Sequence, residues 1–195
     1  MLVSPSGYVQ INLTSCIQQP TSIVEIADFA LLSQNILFDD GFDPSDGGPC
    51  VIQIVKGIEI NHFGQQGMLG HDPIHYYLSS NAIGSKIVKN LIWESHQQCI
   101  VIHGTDNVQL VQDNIAFDTL VYCFKLEDGI ETGNIFVRNL GALTWSPTKI
   151  TPNNEGTDNE LATFWITNPT HYFNDNVAAG SNSSGFWFEL KKQDP

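Results

Sequence analysis

Five histidines, His62, His71, His75, His96 and His103, are interleaved with Asp72, Glu94 and Asp106. Imidazole and carboxylate groups supply two chemistries to a polar site: proton transfer near neutral pH and metal ligation. His75 and His103 are the strongest candidates of this set. Further on, "KLEDGIE" adds Glu127, Asp128 and Glu131. Carboxylates such as Glu127 and Asp128 could serve as acid and base at a glycosidic bond, or hold Ca²⁺ through oxygen. The competing reading is a set of turn and core histidines, with a polar turn in which Gly129 takes positive φ. A second acidic run, "FDDGFDPSDGGP", carries Asp39, Asp40, Asp43 and Asp46. Its spacing is not that of an EF-hand. It is expected to be a solvated loop, with loose calcium binding as the functional alternative.

The elements that must position these groups are short. Apolar runs such as "CVIQIVKGIEI", "CIVIH", "CFKLE" and "ATFWI" are separated by Gly, Asn, Asp and Pro, and helical periodicity is nearly absent. This is an all-β pattern. It also repeats. "KNLIWESHQQCIVIH" (89–103), "DNIAFDTLVYCFKLE" (113–127) and "DNVAAGSNSSGFWFE" (175–189) align without a gap. Asn90, Asn114 and Asn139 recur at 24 and 25 residues, and Asn61 and Asn176 look like further copies. A period in the twenties marks a stacked unit that cannot bury its apolar face alone. The pattern predicts one domain over 1–195, a parallel β-helix with coils of about 24 residues. Stacking would place the asparagines above one another at a turn, passing amide hydrogen bonds from coil to coil. Cys99 and Cys123 share a repeat position that Gly185 fills in a third copy. They are expected to be reduced, inward-facing and stacked, with a disulfide as the alternative.

Composition narrows the function. The net charge of −13 argues against nucleic acid and against anionic membrane surfaces. No apolar run is long enough to cross a membrane. The four cysteines include no C-x-x-C pair, which argues against a zinc ribbon. Sequons at Asn12 and Asn182 are compatible with a glycosylated extracellular chain. Among the tryptophans, Trp165 and Trp187 lie in strongly apolar runs and are expected in the core. Trp145, beside a proline-containing turn, is the better platform for a sugar ring. The polar stretch Lys149 to Glu160 is expected to be a surface loop between coils. Both ends of the sequence look cut from a longer polypeptide.

Several longer stretches carry a resemblance. "GQQGMLGHDPIHYYL", "HGTDN", "LEDGIETGN" and "TFWITNPTHYFNDNVAAGSNSSGFWFEL" resemble the extracellular β-helix region of fibrocystin-like proteins. That family includes the cell-migration-inducing hyaluronidase and transmembrane protein 2, and the resemblance runs from about Ala30 to Leu190. It implies a right-handed parallel β-helix in a secreted or membrane-anchored protein, and in some members binding or depolymerisation of hyaluronan. This chain departs from the family pattern "LGRYPIHFH": it has His71 for Arg, Asp72 for Tyr and Tyr77 for the second His. Cys50 with Val51, and Val121 with Tyr122, also stand where the family carries histidine. The loss of these groups favours a non-catalytic structural or adhesive module, with an extracellular glycan or further copies of itself, as in a fibril, as partner. The rival is a hyaluronan-depolymerising enzyme using His75, His103, Glu127 and Asp128.

Overall fold

The structure is a computed structural model. It describes residues 51–66, 70–147 and 161–189, and the backbone of the strands Leu2–Val3, Tyr8–Asn12, Ser22–Ala27, Leu31–Leu32 and Asn35–Asp39. Every regular element among them is a strand. The strands wind as a right-handed parallel β-helix with three sheets. Sheet I stacks Asn35–Asp39, Ile74–Asn81, Ile100–Asp106, Tyr122–Leu126, Ala162–Ile166 and Ser184–Phe188 in parallel. Its first edge adds Tyr8–Asn12 and, by the one antiparallel pairing among the described strands, Leu2–Val3. Sheet II runs through Leu31–Leu32, Glu59–Asn61, Leu91–Ser95, Ile115–Leu120, Leu140–Trp145 and Val177–Ala179. Sheet III contains Ser22–Ala27, Val51–Lys56, Lys86–Val88, Leu110–Gln112, Ile135–Val137 and Tyr172–Asn174.

In-register stacking makes each inward position a column. Ile74, Ile100, Phe124, Phe164 and Phe186 form one. Its phenyl rings lie parallel, with centroids 4.6 Å apart for Phe124–Phe164 and 4.7 Å for Phe164–Phe186. Phe136 and Phe173 stack likewise at 4.7 Å on sheet III. Neighbouring columns of Ile60, Ile92, Ala116 and Ile87, Val111 complete a core that is buried except at its last coil, where Phe186 is exposed.

Polar columns close the turns. At the corner between sheets III and II, Asn90 donates its side-chain amide to Asn114, Asn114 to Asn139, and Asn139 to Asn176, each at 2.9 Å. Each Nδ2 also donates to a main-chain carbonyl one coil back. Every buried donor at this corner thus meets an acceptor. Asn176 occupies the ladder as the sequence suggested. Asn61 does not: it pairs with Trp93 inside sheet II, and Ile58 takes the ladder position, its backbone N–H meeting Asn90 Oδ1 at 3.2 Å. The residue before each ladder position is left-handed: Gly57 (φ 64°), Lys89 (57°), Asp113 (54°), Arg138 (51°) and Asp175 (54°). Ser95, Thr119 and Thr144 form the corresponding column at the exit from sheet II.

Cys99 and Cys123 are directly stacked, with Cα atoms 4.5 Å apart, and they are joined in a disulfide. The expectation of reduced thiols is therefore corrected. The column spacing alone brings the Cα pair inside disulfide range, and the next members, Thr163 and Gly185, lack sulfur.

Candidate functional site

Strand alternation sends every second residue of sheet I outward. Tyr77 and His103 are register partners, and the register of Ile102 with Leu126 puts Glu127 next in that column. His75, Val101, Lys125 and Trp165 form the parallel column two residues earlier. His75, His103, Glu127 and Asp128 are consequently gathered on one outer face. The rings of His75 and His103 stack with centroids 5.8 Å apart, and Tyr77 presents its edge to His103 at 4.8 Å.

The cluster is tightly paired. His75 Nδ1 meets Asp72 Oδ2 at 2.9 Å, with both side chains buried. His103 lies between two carboxylates, with Nδ1 3.3 Å from Glu127 Oε2 and Nε2 3.1 Å from Asp128 Oδ2. Burial opposes charging His103. The hydrogen bonds to Asp128 and Glu127 and the charges of both outweigh it, and the pKa is raised to about 9. Glu127 is the mirror case. Burial pushes its pKa up, but the His103 hydrogen bond and the charges of Lys125 and His103 pull it well below the ordinary carboxylate range. Lys125 Nζ holds Glu127 Oε1 at 3.0 Å and sits over the Tyr122 ring.

The backbone beneath the cluster is braced. Between the pairs Tyr77–His103 and Ser80–Thr105, Leu78 and Ser79 face the single Gly104, a β-bulge. Gly104 has φ 56°, and a Cβ there would strike the Leu78 side chain. Glu131 is fully buried and does not face the site: its carboxylate accepts the N–H groups of Gly104, Asp128 and Gly129. Asn168 donates to the carbonyls of Gly129 and Glu131. The "LEDGIE" turn is therefore held from both sides, and Gly129 has φ 81°.

The other candidates separate from this face. His62 pairs with Glu94 at 2.8 Å and stacks on His96 at 6.0 Å, along sheet II. Asp106 Oδ1 accepts from Thr132 N and Oγ1. Trp165 is buried, but in a second cluster on the outer side of sheet I, with Tyr122, Leu161 and Trp187. Trp145 is 38% exposed and its indole N–H donates to Asp118 at 2.7 Å. Asn182 lies exposed in a turn, its N–H on the Thr144 carbonyl. The side chains of Asn12, Asp39, Asp40, Asp43 and Asp46, and the stretch Lys149 to Glu160, lie outside the described residues. Sequence reasoning undervalued two participants, Asp72 and Lys125. The i,i+3 spacing of Asp72 and His75 was visible. The Lys125–Glu127 bond follows from the i,i+2 rule for strands.

Fold and cluster together define a parallel β-helix bearing an imidazole–carboxylate site on an outer sheet face. The chain belongs to the CEMIP beta-helix family, whose profile matches residues 51–194. It is similar to the human cell surface hyaluronidase CEMIP2 (34% identity, covering 70% of this chain and 12% of the relative). It is also similar to mouse fibrocystin-L (28%, covering 97% and 5%). The human cell migration-inducing and hyaluronan-binding protein is 28% identical, over 89% of this chain and 14% of the relative. The chain thus spans only a small part of the curated relatives it matches.

Proposed function

We propose that this chain is an extracellular β-helix module that binds a glycan of the hyaluronan class without cleaving it. The extracellular setting and the ligand class rest on the relatives, one named a cell surface hyaluronidase and another a hyaluronan-binding protein. The non-catalytic reading rests on one observation: His103 is clamped between Glu127 and Asp128. Glycoside hydrolysis needs an acid able to release a proton to the leaving oxygen, commonly a carboxyl of raised pKa. Glu127 is held ionised instead, and both His103 nitrogens already face carboxylates. With a net charge of −13, affinity for a polyanion must come from stacking and hydrogen bonds. Trp93 stacked on Phe117 (centroids 6.1 Å apart) and the exposed Trp145 offer sugar-ring platforms on sheet II.

The test is incubation with long hyaluronan, with and without Ca²⁺, followed by chain sizing and a binding isotherm at two salt concentrations. Binding without fragmentation, undiminished or tightened by added salt, supports the proposal. Fragments that disappear in His75→Ala would instead establish the rival enzymatic reading, with His75, His103, Glu127 and Asp128 at work.

A further inference from the structure

His75 is only 2% exposed; Asp72 engages its Nδ1, while Nε2 has no hydrogen-bond partner. The carboxylate fixes the ring proton on Nδ1, leaving Nε2 with a buried lone pair. Such an orphaned acceptor is unfavourable unless something occupies it. A carboxylate behind an imidazole is also the arrangement that prepares the far nitrogen for a metal ion. His75, His103 and Glu127 each offer a ligand atom, and these atoms lie within 4.8 Å of one another. The three residues come from consecutive coils, so the stacking that aligns the columns also fixes the set.

We propose that His75 Nε2, His103 Nδ1 and Glu127 Oε2 bind one divalent d-block ion of the Zn²⁺ type, with a fourth position open to an oxygen ligand. This goes beyond the glycan-binding reading and does not depend on it. Two imidazoles and one carboxylate suit Zn²⁺, whereas Ca²⁺ prefers six or more oxygens. Tetrahedral bonds of about 2.1 Å place ligand atoms roughly 3.4 Å apart. His103 Nδ1 and Glu127 Oε2 already stand at 3.3 Å. Both side chains keep some exposure, 22% and 15%, and can close on the fixed His75 ring. On binding, His103 Nδ1 releases its proton to solvent. Nε2–H stays on Asp128 and repeats the Asp72–His75 arrangement. Lys125 holds Glu127 Oε1, and Oε2 is the oxygen that faces His103.

The test uses the full chain, stripped of metal. Zn²⁺ is titrated by calorimetry with native mass spectrometry for stoichiometry, and Co²⁺ is titrated by its visible absorption. One ion per chain is expected, with His75→Ala weakening affinity at least about 100-fold and Asp72→Asn about 10- to 100-fold. A His62→Ala/His96→Ala double variant should bind as the parent does, and excess Ca²⁺ should not compete. Circular dichroism checks that each variant folds, and His103→Ala replaces His75→Ala if that one does not. An ion that survives His75→Ala or His103→Ala, an ion lost in the His62/His96 variant, displacement by Ca²⁺, or no bound ion at about 100 µM Zn²⁺ would each overturn the proposal.

Discussion

Asn114 donates its side-chain amide to Asn139 Oδ1 and to the Ile87 carbonyl, both at 2.9 Å, while its own Oδ1 accepts the main-chain and side-chain N–H groups of Asn90. All the capacity of one primary amide is used between two neighbouring turns. No other side chain of this size both donates and accepts across 4.8 Å steps in both directions.

Asn114→Ala should therefore cost more than the loss of a single bond. It strands several buried groups, and roughly 3 kcal/mol is expected where each orphan contributes about 1–3 kcal/mol. Asn176→Ala, at the half-buried end of the described ladder, should cost visibly less. Urea denaturation of both variants compares the two; equal losses would contradict the stacking account.

The Cys99–Cys123 bond closes a 24-residue loop. By loop entropy such a crosslink is worth about 3 kcal/mol. Reduction should lower the melting temperature by several degrees, and a Cys99→Ala/Cys123→Ala variant should melt at the reduced temperature and no longer respond to reductant.

Gly141 sits in the column Ile92, Ala116, Gly141 and Ala178. A Cβ there would strike Thr163 Cγ2. Gly141→Ala should destabilise by roughly 1–3 kcal/mol through overpacking. Thr163→Ser removes that methyl but keeps the hydroxyl that meets Thr144 Oγ1 at 3.0 Å, and should restore most of the loss in the double variant. Additive effects in the cycle would rule out the contact.

His103 gives stability a pH dependence. Its folded pKa, about 9, exceeds the ordinary 6.5, so its contribution is complete below 6.5 and is lost as pH rises through 9. Glu127 acts in the opposite direction: its contribution is present above the ordinary 4.5 and is lost as pH falls. The melting temperature should decline from pH 7 to 10, and His103→Gln should flatten that limb. An imidazole titration by NMR with a midpoint near 6.5 for His103 would contradict the clamp.

Much of the architecture was legible because a stacked coil writes its period directly into the chain. The gapless repeats predicted the register of Asn90 with Asn114 and of Cys99 with Cys123. Asn61 misled because it shares the local pattern of an apolar strand followed by Asn. The ladder position is defined by the left-handed residue before it, and at that corner the pair is Gly57–Ile58. Non-glycine residues such as Lys89 and Arg138 hold the same conformation elsewhere, so no residue type announces it. The disulfide was misjudged because stacked parallel positions are expected to meet disulfide geometry poorly, whereas the column spacing itself lies within range. His75, His103, Glu127 and Asp128 could be grouped from alternation and period. The clamp on His103 and the orphaned His75 nitrogen required side-chain positions.

Two of the departures from the 24-residue spacing fall at the corner between sheets II and I: between Asn61 and Ile74, and again between Trp145 and Ala162. Downstream alignment is unaffected, since Leu140 still meets Val177 across a gap of 37 residues. Contour length is thus uncoupled from the lattice of columns. Evolution can splice variable sequence into that seam without disturbing what lies above or below it. Asp72, carried in on one such splice, shows that an addition at the margin can reach across and set the tautomer of a residue in the frame.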